Sequence, residues 1–163
     1  MTAIRKPSSP MDFETLALFT ADHAAVESEK VYVNGGFWDS LLLPSFPVSV
    51  SMSLVAVIKV PSRAYLEDHQ VVVEMVNADE ERLPLRIDGH LRVGAAPHMR
   101  PGEPTTVPMA FQLNGVYLER AGDYWFVLSV DGDEIGRYRI RAIQAPFIQP
   151  PLQAPNDDNA EEK

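Results

Sequence analysis

Three ionisable residues in the first third of the chain could carry out proton transfer. Asp22 and His23 are adjacent, and Asp39 lies a short distance further along. A carboxylate can orient an imidazole as a general base while a second carboxylate acts as the acid. If the three side chains converge, the pattern predicts a small enzyme. The serines nearest to them, Ser28 and Ser40, lack the Gly-x-Ser-x-Gly setting of an activated nucleophile.

A structural interpretation of the same residues is the one we favour. Aspartate commonly caps a turn, and histidine is commonly part-buried without catalysing anything. Asp22 is then a capping residue, His23 packs at the end of a strand, and no residue is predicted to be catalytic. The balance favours a protein that is not an enzyme.

Gly35-Gly36 also admits two interpretations. A phosphate-binding loop needs wider glycine spacing and a helix after it, whereas the strand-like residues Phe37 and Trp38 follow here. A tight turn or bulge with positive φ is the better interpretation. Trp38 is then predicted to lie in the core, with its indole N–H donated to a backbone carbonyl.

Metal and cofactor sites are not predicted. The chain has no cysteine, which excludes thiolate catalysis, disulfides and cysteine-based metal sites. The acids of 131–134 lack the further ligands of a calcium loop. The histidines show no short metal-ligand spacing. They are His23, His69, His90 and His98.

The most suggestive surface feature is a run of alternate arginines, Arg137, Arg139 and Arg141, in a chain whose formal net charge is −9. Alternate positions share one face of a strand, and Trp125 is predicted beside them. Because tryptophan and arginine are over-represented among binding anchors, these four residues are the predicted binding face for an acidic partner or ligand. Alternatively, the arginines protect an exposed sheet face or pair with nearby acids.

The element that positions this face is a predicted β-hairpin, 123–143. Its apolar residues recur with a period of two, and directly opposed residues must point to the same face. Pairing Phe126 with Tyr138 places Trp125 opposite Arg139 on the outer face, where a cation–π contact is expected.

Two details of this hairpin predict local structure. The register leaves 131–133 as a three-residue loop, an accepted connection when a glycine is available. At the start of the hairpin, Gly122 and Tyr124 form a Gly-x-Tyr step that resembles the tyrosine corner of immunoglobulin-like sandwiches. The cysteine and tryptophan hallmarks of antibody domains are missing, so this match supports a sandwich and not that family.

The rest of the body also alternates with a period of two, and helix is scarce. Pro108 cannot donate to a ladder, so its strand is predicted to begin there or to lie at a sheet edge. Short helical turns are predicted only at 21–29 and 62–69. We therefore predict an all-β antiparallel sandwich, immunoglobulin-like in general architecture, with about seven to nine strands. The other strands are predicted at 48–58, 71–76 and 107–113.

Composition indicates the ends of the domain and its surroundings. Residues 1–11 are predicted to be a flexible leader, 12–144 a single sandwich domain, and 145–163 a proline-rich, then acidic, disordered tail. The leader lacks the apolar core of a secretory signal, and no run reaches the roughly 20 apolar residues of a membrane span. An acidic surface repels nucleic acid. We expect a cytoplasmic protein that binds neither membranes nor nucleic acid.

The order of these segments resembles a family of uncharacterised bacterial β-sandwich proteins, mainly actinobacterial and also phage-associated. Its motif is Ala-Asp-His-Ala followed by Tyr-x-x-Gly-Gly-x-Trp-Asp. The resemblance covers roughly residues 12–143 and implies a β-sandwich, but it brings no activity, ligand or catalytic residue. The matching positions are 21–24, then Tyr32, Gly35, Gly36, Trp38 and Asp39.

Three functions are therefore open. The preferred one is a non-catalytic binding or accessory module with a protein partner, because no recognisable acid–base or metal set is present. The second is a small enzyme that uses Asp22, His23 and Asp39. The third is a self-assembling homo-oligomer, including a phage-related structural protein, built through a sheet edge such as the Pro108 strand.

Overall fold

A computed structural model describes residues 12–146, which form nine β-strands and one short 3-10 helix. The predicted leader, 1–11, and residues 147–163 of the predicted tail lie outside the described residues. The 3-10 helix is Ser62–Ala64. The strands are β1 (Glu14–Glu27), β2 (Lys30–Trp38), β3 (Ser40–Leu43), β4 (Val48–Val60), β5 (His69–Asn77), β6 (Arg82–Leu91), β7 (Thr105–Leu118), β8 (Gly122–Val130) and β9 (Asp133–Gln144).

The strands form two sheets that pack face to face. One has the order β2-β1-β4-β7 and the other the order β3-β9-β8-β5-β6. Neighbouring strands are antiparallel except β3 and β9, which run parallel. The prediction of an all-β sandwich is confirmed.

The main core lies between the sheets and follows from the alternation of apolar residues. On β4, alternate residues from Met52 to Val60 belong to this core, together with Phe126 and Leu128 of β8. Each such side chain contributes about 1.5–3 kcal/mol when it leaves water. The other face of β4 is covered as well in its second half, where Val55 is fully buried.

The predicted register of the β8–β9 hairpin is confirmed, because Phe126 pairs with Tyr138 and Trp125 with Arg139. The predicted three-residue loop is wrong. Val130 pairs with Asp133, so the loop is the dipeptide 131–132, and a bulge in the ladder absorbs the extra residue. Asp131 and Gly132 both have positive φ, +51° and +87°, which is the backbone of a type I′ turn and suits an Asp-Gly sequence.

The helix predicted at 21–29 is wrong, and the helix predicted at 62–69 is too long. Residues 21–29 fall mainly in β1, because Ala21 and Ala24 are fully buried in sheet packing that outweighs local propensity. In the segment 62–69, only Ser62–Ala64 is helical. Tyr65 already has an extended ψ of 149°, and the chain then enters β5.

The far half of the β1–β2 hairpin folds over the outer face of the four-stranded sheet. Ala21 and Ala24 belong to one buried cluster with Phe19 and Val55, although residues three apart on a straight strand point to opposite faces. The hairpin therefore bends after Ala21, where the pairing of β1 with β4 ends. Its far half lies against β4 and β7.

Two side chains hold this bent segment to the sheet. The pairing of β1 with β4 ends at Ala21 and Ser53. Beyond it, the Ala24 N–H donates to Ser53 Oγ at 3.0 Å, and Gln112 Nε2 donates to the Ala24 carbonyl. Ser53 Oγ in turn donates to Gln112 Oε1 at 2.9 Å. A serine and a glutamine thus replace main-chain partners for a buried residue.

The two sheets meet where β2 continues into β3. Trp38 ends β2 in the four-stranded sheet, and Ser40 begins β3 in the other sheet. The Trp38 carbonyl accepts hydrogen bonds from Thr20 Oγ1 of β1 and from the Tyr138 hydroxyl of β9, the latter at 2.9 Å. At the opposite side of the sandwich, β7 is an edge strand, as predicted from Pro108.

The tyrosine-corner prediction leads to a stability test. Tyr124 is buried, and its hydroxyl donates to the Arg120 carbonyl at 2.7 Å. Tyr124→Phe is expected to lower the free energy of unfolding by about 1 kcal/mol, the usual net value of one such bond. The measurement is urea denaturation. Tyr65→Phe is the matched control, since its bond to the Glu103 carbonyl is exposed and should cost less; equal losses would contradict the assignment.

Candidate functional site

The candidate site is the outer face of the five-stranded sheet, here called the Trp125 face. Across the strands, Trp125 pairs with Val76 of β5 on one side and with Arg139 of β9 on the other. Arg82 of β6 pairs with Val76. Parity along β9 places Arg137 and Arg141 on the same face. The structure therefore brings together the four residues predicted for binding, Trp125, Arg137, Arg139 and Arg141.

An apolar strip lies beneath these charges. Val72, Val76 and Val127 point to the outer side of the sheet, yet they are only 6–8% exposed. No strand layer covers this side of the sheet within the described residues. Long arginine stems can shield apolar surface while their charged ends stay in water. The face is therefore an apolar floor under a layer of paired charges.

Two of the three predicted arginines are neutralised by acids. Arg137 donates to Glu80 at 2.7 Å and to Glu134 at 2.6 Å, and Arg141 donates to Asp123 at 2.7 Å. The bond from Arg141 holds the pKa of Asp123 below its ordinary value. These pairs bear out the alternative of acid pairing for Arg137 and Arg141.

Arg139 differs from its two neighbours on β9. Within the described part of the chain it forms no hydrogen bond or ion pair. Its charge contributes to the lowered pKa of Asp123, after the larger effect of the Arg141 bond. Trp125 lies directly opposite in the register and is half-buried. The expected cation–π contact between the two is not among the ring contacts of residues 12–146.

The same face includes an apolar pair that the sequence analysis missed. Leu42 of β3 pairs with Ile143 of β9, two residues beyond Arg141. Leu42 is 67% exposed and Ile143 is 39% exposed. The run of three leucines, 41–43, was the available signal, but only the parallel pairing with β9 shows which side chain points outward. The face thus combines an aromatic ring, an unpaired guanidinium and two exposed aliphatic side chains.

The residues of the enzyme hypothesis are not joined in the structure. Asp22 and His23 are both exposed and lie within β1, so Asp22 does not cap a turn and His23 does not pack at a strand end. Asp39 accepts a hydrogen bond from Ser40 Oγ at 3.1 Å. Among the described hydrogen bonds, none connects the side chains of Asp22, His23 and Asp39. A general base held by a neighbouring carboxylate is therefore not assembled here.

The glycine pair has a structural explanation. Gly35 has φ +59°, as predicted for a turn or bulge, and an added Cβ there would lie 2.1 Å from Asp22 Oδ2. At Gly36, an added Cβ would lie 2.7 Å from Val33 Cγ1. Both glycines let the two strands approach closely at the bend. Gly36 itself has no positive φ, and Phe37 has one instead, +66°.

Two predictions were made for Trp38, a core position and a hydrogen bond from its indole N–H, and only the first agrees with the structure. The ring is half-buried and packs against the main core. The predicted hydrogen bond to a carbonyl is wrong: the buried Nε1 has no partner within the described residues.

An ion pair between a buried histidine and a half-exposed aspartate was also missed, because its members are far apart in the sequence. His69 Nδ1 lies 2.6 Å from Asp131 Oδ2, and His69 Nε2 lies 2.9 Å from the Ala64 carbonyl. Both ring nitrogens face acceptors, an arrangement that favours the doubly protonated imidazolium. Burial acts to lower the pKa of His69, but these bonds and the charges of Asp131 and Glu67 together raise it. The bond from His69 lowers the pKa of Asp131.

No group of three or more His, Asp or Glu residues that could hold a metal ion occurs in the described ranges. No helix formed by residues 12–146 is long and apolar enough to cross a membrane.

The fold and the Trp125 face define an all-β sandwich with one exposed sheet face built of paired charges over an apolar floor. A family model, described as "Family of unknown function (DUF6941)", matches residues 16–143. The chain therefore belongs to this family. The comparison with curated proteins finds no match. Membership in a family of unknown function fits the prediction of an uncharacterised family, and it assigns no role to any residue.

Proposed function

We propose that the protein is a non-catalytic binding module whose Trp125 face docks an acidic segment of a protein partner. The observation that carries the proposal is the unpaired Arg139 beside Trp125, on a face where the neighbouring arginines are paired with acids. A partner carboxylate at Arg139 would complete the charge pairing of this face.

The shape of the face supports an extended protein segment. Leu42 and Ile143 offer an apolar contact next to the charged residues. Aromatic and arginine anchors beside an apolar patch are typical of protein interfaces. The open edge of β3, at the end of its sheet, could in addition pair with main-chain groups of a bound strand. These features favour a protein partner over nucleic acid or a membrane.

The decisive experiment uses the full chain with a photo-crosslinking amino acid at Leu42. The expected result is one crosslinked partner that is lost in Arg139→Glu. Arg139→Glu should bind the purified partner at least about tenfold more weakly than the wild type, a loss of about 1.4 kcal/mol. Binding of the partner to the wild type should weaken as the salt concentration rises. The measurement is crosslinking followed by calorimetry with the recovered protein.

Arg120→Glu is the matched control, since Arg120 is an exposed arginine paired with Asp79. It should leave the crosslink and the affinity unchanged. An unchanged affinity in Arg139→Glu, or no crosslinked protein with the wild type, would refute the proposal.

A second candidate is a homo-oligomer assembled through a sheet edge. It is favoured by the position of β7, the Pro108 strand, at the edge of its sheet. A crosslink to a second copy of the chain would favour this candidate, and light scattering across a concentration series would then give the stoichiometry. A phage-related structural role would go with this homo-oligomer. A role as a bacterial cytoplasmic module with immunoglobulin-like architecture would go with the binding module proposed above.

The enzyme alternative would require the side chains of Asp22, His23 and Asp39 to move into contact with one another.

A further inference from the structure

A cavity of about 430 Å³ lies between the 3-10 helix and the connection from β6 to β7. Its size is within the range of small-molecule sites. It is separate from the residues of the Trp125 face. We call it the Arg100 cavity. Its lining is Ser62, Arg63, Tyr65, Ala95, Ala96 and 99–102.

The wall of the cavity is a long segment, 92–104, without regular structure. Such long connections in a compact domain are uncommon and are usually binding loops or disordered segments. This one is held in place: Leu66 N–H donates to the Val93 carbonyl at 2.9 Å, and the Tyr65 hydroxyl donates to the Glu103 carbonyl at 2.6 Å. The cavity is therefore built by specific contacts on both of its sides.

The lining has the chemistry of an anion site with an apolar wall. Alanine, methionine and proline side chains form the apolar part, and Arg63 and Arg100 supply positive charge. None of the lining residues is acidic, but each arginine pairs with an acid outside the lining, Arg63 with Asp12 at 3.6 Å and Arg100 with Glu103 at 3.7 Å. Both pairs are exposed and long, so a negatively charged guest can compete with the two acids for the guanidinium groups.

Arg100 is available to such a guest. Its side chain is 82% exposed, and its ion pair with Glu103 spans 3.7 Å. Charge-assisted hydrogen bonds are shorter, about 2.7–2.9 Å, and an exposed pair of this length contributes little. A ligand carboxylate or phosphate can therefore replace Glu103 as the partner of the Arg100 guanidinium with little loss of free energy.

We propose that the Arg100 cavity binds a small organic anion, a carboxylate or phosphate attached to an apolar group. The anionic end contacts the Arg100 guanidinium, and the apolar group lies against Ala95, Ala96 and Met99. This site is independent of the Trp125 face, so failure of either proposal leaves the other standing.

The test is an NMR titration of the full chain with phenyl phosphate as the probe. Saturable shifts are expected at the amides of Ala95, Ala96 and Gly102, with a dissociation constant of about 0.1–1 mM. Benzyl alcohol, a neutral probe of similar size, should bind at least fivefold more weakly. Arg100→Ala should weaken phenyl phosphate binding at least fivefold.

Arg92→Ala is the matched control, because Arg92 lies in the same connection, pairs with Asp68 at 3.0 Å and does not line the cavity. It should leave the dissociation constant unchanged. Three results would overturn the proposal: no saturable shift at these amides, equal binding by Arg100→Ala, or equal binding of benzyl alcohol.

Discussion

Replacing Ser53 by alanine is expected to lower the free energy of unfolding by about 1–3 kcal/mol. Ser53 is fully buried and accepts the hydrogen bond of the Ala24 N–H at 3.0 Å. Ala24 is itself fully buried, so water cannot replace the lost acceptor. An orphaned buried donor costs the full desolvation of that group. Urea denaturation of both proteins measures the difference.

Ser49→Ala provides the comparison for this test. Ser49 lies on the same strand, is exposed, and pairs with Tyr117 at the solvent-facing end of β4. Its replacement should change stability by less than about 0.5 kcal/mol. Equal losses in the two variants would show that Ser53 does not hold the bent hairpin.

The second expected result concerns the dependence of stability on pH. The contribution of the His69–Asp131 pair should disappear in Asp131→Asn. The folded-state pKa of His69 is raised above 6.5, so its stabilisation is complete below pH 6.5 and is lost as the pH rises through the raised value. The folded-state pKa of Asp131 is lowered below 3.8, so its stabilisation is present above pH 3.8 and is lost as the pH falls. The pair therefore stabilises the fold most between these two values.

Asparagine is chosen because it suits the positive φ of a type I′ turn and can still accept the Gln70 N–H that Asp131 Oδ1 accepts at 2.9 Å. The variant should lose about 1 kcal/mol at pH 5, because the Asp131 side chain is 48% exposed and solvent screens its charge. The difference should shrink towards pH 9. Urea denaturation at several pH values is the measurement. His90→Gln, at an exposed histidine of β6, should keep the wild-type profile. An Asp131→Asn curve parallel to wild type would contradict the charged pair.

Strand parity was sufficient to predict the register of the β8–β9 hairpin. Phe126 and Tyr138 each belong to a set of alternate apolar residues on its own strand. A shift of the register by one residue would have moved every side chain of one strand to the wrong face. The loop could not be predicted in the same way, because a bulge moves one residue out of the ladder and leaves 131–132 free to form the favoured Asp-Gly turn. Local turn chemistry determined this outcome.

Other features depended on contacts between distant segments. The segment 21–29 has the composition of a short helix, and it becomes a strand because Ala21 and Ala24 are buried against Val55. The His69–Asp131 pair and the Leu42–Ile143 pair each join residues from separate strands or turns. Nothing in their local sequence indicates these partners. The predicted face was found because its three predicted arginines, Arg137, Arg139 and Arg141, lie on one strand.

The Trp38 carbonyl gives the sandwich a mechanical asymmetry. It accepts one bond from Thr20 within its own sheet and one from Tyr138 of the other sheet, so shear between the sheets at this corner breaks the Tyr138 bond and leaves the Thr20 bond in place. At the opposite side, the segment 92–104 joins β6 to β7. Sliding of one sheet past the other is therefore opposed at the Trp38 corner by a hydrogen bond that crosses between the sheets.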